Sequence, residues 1–185
     1  MELKEVEKVL NTFKNYVIQQ SKSNLSKDKK NFTKGLYNSI KGEIITENNY
    51  SIVGFSMEYY GQFVDKGVRG ADPTQVSPNS KIKGQQAPNS PYSFKSKMPP
   101  SKPLAEWAKK KNIRLRDDKG KFKEGSYKTI GIIIARNIWA RGIKPSLFFT
   151  KPFEAGYKKY IDTDLMKAFG QDVETMVDYN LKDIK

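Results

Sequence analysis

The residues of this sequence that could do chemistry are carboxylates and cations, because it contains neither cysteine nor histidine. Their absence excludes disulfides, thiol catalysis, Cys/His zinc sites and every mechanism that needs a histidine base. Asp117 and Asp118 are adjacent, so in a strand they point to opposite faces. Glu43, Glu47 and Glu58 lack the spacing of metal ligands. We therefore expect no enzyme, no metal site and no cofactor, and a carboxylate-metal nuclease is the weakest interpretation.

The cations are numerous and unevenly placed. The chain of 185 residues has a formal net charge of +14, and residues 95–123 carry eleven lysines and arginines against three acids. Residues 162–185 carry six acids against three lysines. A basic segment of this kind is a solvated surface, or else it faces phosphate groups or an acidic protein surface. The candidate contact residues for a partner or for DNA are Lys109, Lys110, Lys111, Arg114 and Arg116.

Single-stranded nucleic acid would also need exposed aromatic side chains among these cations, because its bases stack on them. The aromatic residues of the basic segment are Trp107 and Phe122. Trp107 shares a helical face with Leu104 and Ala108, which favours a place for it in the core.

The elements that position these residues begin with an amphipathic helix. Apolar residues recur at alternating steps of three and four, which places them on one face. The helix packs on a sheet or forms a seam between subunits, since the spacing also fits a heptad. A polar basic loop is expected over residues 21–34. The residues of the apolar face are Leu3, Val6, Leu10, Phe13 and Val17.

A β-hairpin is expected over residues 35–57. Ile44 and Ile45 precede a turn at residues 47–49, whose asparagines tolerate positive φ. Apolar residues return after this turn at Tyr50, Ile52, Val53 and Phe55.

The middle of the chain is rich in proline. Residues 71–103 contain seven of the nine prolines and few apolar residues, which predicts a long loop that projects from the domain. A basic helix and hairpin follow over residues 101–125. Ser101 is the expected cap of that helix, and a small hairpin is expected around residues 118–120.

Two further helices are expected toward the C-terminus. Ser126 caps the first and Gly142 ends it. An apolar strand at residues 147–149 then leads to a long final helix, which begins near Pro152 and which Gly170 kinks or divides. The predicted buried side of the first helix is Ile130, Ile133, Ile134, Ile138 and Trp139. The predicted stripe of the last is Phe153, Tyr157, Ile161, Leu165, Phe169, Val173 and Met176 or Val177.

These elements predict an α+β fold. We expect residues 1–185 to form a single domain, in which an antiparallel sheet is packed by the N-terminal amphipathic helix and the long C-terminal helices, with the proline-rich loop inserted. No run approaches the ~20 apolar residues that a bilayer-spanning helix needs. The start, MELKEVEKVL, lacks the apolar core of a secretory signal.

The stretch MEYYGQFVDKGVRG, residues 57–70, joins the hairpin to the loop. Its aromatic residues predict one or two turns of helix. Lys66 suits the last turn, and Gly67 suits a left-handed cap. Asp65 and Arg69 are then either exposed or paired.

This stretch resembles a motif of the tail-completion and neck proteins of tailed bacteriophages, the family named for gene product 10 of phage HK97. In that family a strand ends in Tyr-Ala-x-Phe/Tyr-Val-Glu-x-Gly, often followed by Thr-Arg. A second family motif, Arg-Pro-Phe-Leu-x-Pro-Ala/Phe, is similar to a spaced-out set here: Lys144, Pro145, Leu147, Pro152 and Phe153. The residues that match the first motif are Tyr60, Phe63, Val64, Asp65, Gly67 and Arg69.

The resemblance implies a structural protein of the virion neck, made in the host cytoplasm. Such a protein forms a closed ring of identical subunits between the head connector and the tail. Its partners would be portal, adaptor or tail proteins, DNA would pass through the lumen, and no membrane is involved. The alternative from charge alone is a non-specific nucleic-acid-binding protein that uses residues 95–123.

Overall fold

The computed structural model of this protein describes residues 3–28, 33–47, 50–76, 80–117, 119–122 and 125–182. The chain divides into two compact units. Unit 1 contains Met1–Gly61 and Leu147–Lys185, and unit 2 contains Gln62–Ser146. Unit 2 is therefore one continuous stretch, inserted in the sequence between the two parts of unit 1. The single-domain organisation over residues 1–185 stays a prediction.

Unit 1 begins with helix α1 (Lys4–Lys27). The predicted loop from Ser21 is wrong over residues 21–27, because the buried stripe of the helix continues for two more turns. Ser21 and Leu25 are fully buried, and the hydroxyl of Ser21 has no hydrogen-bond partner. The buried residues of α1 are Leu10, Phe13, Val17, Ser21 and Leu25.

The predicted hairpin is confirmed over residues 41–47 and 50–56 and is wrong over residues 35–39, which are helical. A short helix α2 (Gly35–Ser39) leads into strands β1 (Lys41–Glu47) and β2 (Tyr50–Ser56). The strands pair antiparallel, with Glu47 opposite Tyr50, while residues 48 and 49 of the predicted turn lie outside the described residues. One face of the hairpin packs on α1, where the rings of Phe13 and Phe55 lie 5.9 Å apart.

A continuous helical stretch ends unit 1. It comprises α6 (Thr150–Gly156), a π-helical segment (Tyr157–Asp164) and α7 (Leu165–Lys182). The helices between α2 and α6 belong to the middle of the chain. Gly170 does not divide the stretch, because α7 runs through it. The departure from α-helical geometry lies instead in the π-helical segment.

The predicted stripe of the last helix is partly wrong. Tyr157 is 46% exposed and Phe169 is 48% exposed, whereas Gly156, Ala168 and Asp172 are buried. A π-helix has i→i+5 hydrogen bonds and more residues per turn, so the residues after it are rotated relative to a continuous α-helix. The half-buried members of the predicted stripe are Phe153, Ile161, Leu165, Val173 and Met176.

Asp172 of α7 caps the start of α1. Its carboxylate accepts hydrogen bonds from the backbone N–H groups of Glu5, at 3.1 Å, and Val6, at 3.0 Å. The first N–H groups of a helix have no partner within the helix, and a carboxylate there also suits the helix dipole. One buried side chain therefore joins the two parts of unit 1.

Unit 2 is built around two short strands. Helix α3 (Gly61–Lys66) is followed by β3 (Val68–Arg69), which pairs antiparallel with β4 (Gly142–Ile143). The predicted strand at residues 147–149 is wrong, since pairing occurs earlier and Leu147 has a φ of 52°. That φ lies outside the range of an extended strand.

Most of the described residues between 71 and 103 have no regular secondary structure, apart from a 3-10 turn at Pro73–Gln75 and the first residues of a helix that begins at Ser101. Hydrogen bonds from Thr74 and Gln75 to the Asp72 carboxylate order the turn and lower the pKa of Asp72.

The expectation of a projecting loop is wrong for residues 85–94, which lie along β3. Arg69 N–H donates to Tyr92 O at 2.8 Å, and Phe94 N–H donates to Arg69 O at 2.9 Å. Gln85 exchanges two side-chain hydrogen bonds with the backbone of Gly70. The sequence did not indicate these hydrogen bonds, because backbone and side-chain amide groups form most of them and such groups leave no recognisable sequence pattern.

Helices α4 (Ser101–Lys110) and α5 (Tyr127–Arg141) pack against each other. Ser101 is the first helical residue of α4 and not its cap. Ser126 caps α5 as expected, accepting from Thr129 N–H at 3.2 Å, and Gly142 ends α5 with a φ of 89°.

The buried face of α5 differs from the predicted isoleucine face. Ile133 is 39% exposed, and Ile134, Ile138 and Trp139 are half-buried. Small residues occupy the contact with α4 because they allow close approach of the two backbones. The buried residues of α5 are Ile130, Gly131, Ala135 and Ala140.

The predicted hairpin after α4 is confirmed in the described residues. Arg116 and Phe122 form an antiparallel bridge, and Gly120 has the φ of 80° that suits its turn. Asp118 of the predicted turn lies outside the described residues. The α+β class of the fold is confirmed, because the β1–β2 hairpin of unit 1 packs against α1 and against the C-terminal helices.

Candidate functional site

The first group of candidate residues surrounds the end of α3. Lys66 closes the helix and Gly67 follows with a φ of 72°, as the sequence predicts. Asp65 is 4% exposed, so it is buried, while the side chain of Arg69 is exposed. Phe63 packs edge-on against Tyr92, with ring centroids 4.7 Å apart.

The structure brings the end of α3 against the chain that follows β4. A Cβ atom on Gly67 would lie 2.5 Å from Ile143 O and 2.9 Å from Pro145 Cδ. Ser146 donates from N–H and from its hydroxyl to Val64 O, at 3.1 and 2.8 Å. Glycine is therefore required at position 67 for two reasons, its φ and this close approach.

Four further motif residues lie in unit 1, whereas Lys144 is exposed in unit 2. Tyr60 is partly exposed near Gly35, and Leu147 accepts a hydrogen bond from Lys151 N–H at the start of α6. Pro152 is buried in the first turn of α6. Phe153 belongs to an aromatic cluster of the core, with ring centroids 5.6 Å from Phe13 and 6.0 Å from Phe55. These contacts give the motif residues of unit 1 a structural role.

The five candidate cations lie in unit 2 at two neighbouring places. Lys109 and Lys110 end α4, and Lys111 is its C-terminal cap residue. Arg114 and Arg116 lie between α4 and the turn at Gly120, where Arg116 forms an antiparallel bridge with Phe122. All five side chains are exposed.

Arg114, Arg116 and Phe122 form what we call the arginine–phenylalanine face. The guanidinium carbon of Arg116 lies 4.3 Å from the centroid of the Phe122 ring, and that of Arg114 lies 5.7 Å from it. Phe122 is 62% exposed. In the sequence, Phe122 is recognisable only as an aromatic residue among cations. The sequence feature that indicates its pairing with Arg116 is the turn at Gly120, because this turn places Phe122 opposite Arg116.

A cavity of about 420 Å³ adjoins this face. Phe122 and Arg114 form part of its lining, and the other lining residues are mostly apolar. These are Ile113, Leu115, Gly125, Tyr127 and Ile130.

A second cavity, of about 320 Å³, lies in unit 1 between α1 and the helical stretch that ends the unit. Side chains of both signs line it, among them Glu5, Lys8, Asp164 and Lys167. Because the lining contains both charges, it favours neither an anionic nor a cationic ligand.

The described part of the chain contains no group of three or more acidic side chains that could hold a metal ion. None of its helices combines the length and hydropathy needed to cross a bilayer. The acidic C-terminal segment is only partly available to a partner, because Asp172 is buried as the cap of α1.

No protein-family model, curated protein or solved structure shows significant similarity to this chain. The resemblance to phage neck proteins therefore stays a prediction, and the function is argued from the residues and their geometry.

Proposed function

We propose that this protein is a structural component of a phage neck, of the tail-completion type, which forms a ring between the head connector and the tail. The resemblance of its two motifs supports the proposal. The strongest structural support for the proposal is the close contact of Gly67 with Ile143 and Pro145. Residues of the first motif thereby contact the beginning of the second, although about 80 positions separate them in the sequence.

The charge distribution supports head-to-tail contacts between copies. Such contacts close into a ring when the rotation between subunits allows it. The exposed cations at the end of α4 suit one side of such an interface, and exposed acids such as Asp162 and Glu174 suit the other. The neighbouring neck components would be portal, adaptor or tail proteins, and the location would be the virion.

Electron microscopy tests this proposal. Virions that carry the tagged protein are imaged together with the purified protein alone. We expect a ring of several copies at the junction of head and tail, whereas the free protein can stay monomeric because the junction provides the template. Isolated single copies in the virion, or a location away from the junction, would refute the proposal.

A further inference from the structure

We propose that the arginine–phenylalanine face binds single-stranded nucleic acid, with phosphates on Arg114 and Arg116 and a base against Phe122. This inference does not depend on the proposed ring. Binding at this face would require the Phe122 ring as well as the positive charge of the two arginines.

Arg116 and Phe122 form an antiparallel bridge. The guanidinium groups of Arg114 and Arg116 both lie beside the Phe122 ring. Leu115, between them, lies against Gly125 and lines the adjoining cavity. The two guanidinium groups and the Phe122 ring are thus presented together, while the apolar side chain between them is directed toward the unit.

Intramolecular hydrogen bonds orient both guanidinium groups. Arg116 Nη1 donates to Gly120 O at 2.7 Å, and Arg114 Nε donates to Asn112 Oδ1 at 3.3 Å. A guanidinium carries five N–H donors, so one such bond fixes the group and leaves others for a phosphate. Two oriented guanidinium groups are suited to neighbouring phosphates of one strand.

The adjoining cavity provides a place for a base. Its volume of about 420 Å³ and mostly apolar lining are typical of a small-ligand site. Its rim includes Phe122 and Arg114, so a base beside the ring would keep its phosphate near a cation. A duplex offers no unstacked base to such a ring, which favours a single strand.

The surrounding charge favours a polymer over a single nucleotide. Exposed lysines lie beside the face in the hairpin turn. An acidic protein surface would be attracted by the same charge but would make no use of an exposed phenyl ring. The flanking lysines are Lys119 and Lys121.

Fluorescence anisotropy with a labelled 20-nucleotide oligothymidylate, measured over a series of salt concentrations, tests the proposal. We expect Phe122→Ala to weaken binding about 5- to 100-fold with little change in salt dependence, since stacking is not ionic. Arg114→Gln/Arg116→Gln should reduce the slope of log K against log salt by about 1.4, or about 0.7 for each lost phosphate contact. Phe122→Trp should retain binding, because it keeps a ring on which a base can stack.

Two matched controls come from unit 1. Phe169→Ala removes a similarly exposed phenyl ring, and Lys41→Gln/Lys151→Gln removes two exposed charges. The aromatic control should leave affinity unchanged, and the charge control should leave the salt slope unchanged. Circular dichroism verifies that each variant is folded.

Three outcomes would overturn the proposal. The first is an absence of binding at low salt. The second is equal affinity for a duplex of the same length, together with no effect of Phe122→Ala, which would indicate attraction by charge alone. The third is equal binding of labelled polyglutamate with the same indifference to Phe122, which would assign the face to an acidic protein.

Discussion

The buried hydroxyl of Ser21 is an energetic defect in the core of unit 1. It is completely inaccessible and has no hydrogen-bond partner. An unpaired buried polar group costs about 1–3 kcal/mol. We therefore expect Ser21→Ala to raise the free energy of unfolding by about 1–2 kcal/mol in urea denaturation.

Ser26→Ala is the matched control for this substitution, because Ser26 lies on the exposed side of the same helix. It shares the change in helix propensity but removes no buried hydroxyl. A gain no larger for Ser21→Ala than for Ser26→Ala would show that the Ser21 hydroxyl carries no penalty.

The carboxylate of Asp172 has the opposite role, because it stabilises the start of α1. We expect Asp172→Ala to lower the free energy of unfolding by about 1–3 kcal/mol, since backbone N–H groups lose their acceptor. Glu174→Ala, at an exposed position of the same helix, should change it by less than about 0.5 kcal/mol. Equal effects of the two substitutions in thermal or urea unfolding would contradict the capping role.

Sequence patterns predicted residues whose role is local and did not predict residues whose role depends on distant partners. Gly67 and Ser126 were predicted because a cap is defined by its immediate neighbours. Asp172 appeared as one acid among six, since its partners are the N–H groups of Glu5 and Val6 at the other end of the chain. The pairing of Phe122 with Arg116 likewise depends on hairpin register.

At the scale of elements, the contact between α4 and α5 depends on the absence of a side chain at Gly131. A Cβ atom there would lie 2.5 Å from Ser101 O and 2.9 Å from Ala105 N. Both are backbone atoms, so α4 itself would have to move. Gly131→Ala should therefore lower the free energy of unfolding by about 1–2 kcal/mol, although alanine is the better helix former.

Gly170 is the matched control for Gly131, because it also lies inside a helix but a Cβ atom there meets nothing within 4 Å. Gly170→Ala should raise the free energy of unfolding by about 0.5–1 kcal/mol. The two substitutions are chemically identical and opposite in expected sign. Urea denaturation that gave the same sign for both would contradict the packing of α4 on α5.

The elements with a strong hydrophobic period were predictable, and those with local irregularities were not. The periodicity of α1 and the alternation of the hairpin identified both elements. The π-helical segment Tyr157–Asp164 could not be recognised, because its extra residue per turn leaves the apolar residues in a plausible α-helical order. Residues after this segment are rotated relative to a continuous α-helix, and Phe169 is an exposed residue among them.

At the scale of the whole molecule, the proposed ring makes the lysines at the end of α4 a contact with a neighbouring protein. Lysines repeated around a lumen would hold DNA strongly, because each phosphate contact adds to a salt-sensitive attraction. We therefore expect Lys109→Glu/Lys110→Glu/Lys111→Glu to block assembly, giving heads and tails that fail to join in electron micrographs.

The charge-matched control is Lys151→Glu/Lys158→Glu/Lys159→Glu, at exposed positions of unit 1. Particles of this variant should assemble. If instead the variant at residues 109–111 assembles normally and fails only in DNA retention or ejection, its lysines face the DNA passage.

The order of the two units along the chain has a consequence for biosynthesis. A ribosome completes all of Gln62–Ser146 before it adds the first residue of Leu147–Lys185. Compact units generally acquire structure as they emerge, N-terminal ones first. Here the nascent N-terminal helix leaves the ribosome early but gains its capping carboxylate only when Asp172 has been added. Unit 2 is thus the part of the chain that can mature first, and the N–H groups at the start of α1 stay exposed until Asp172 is in place.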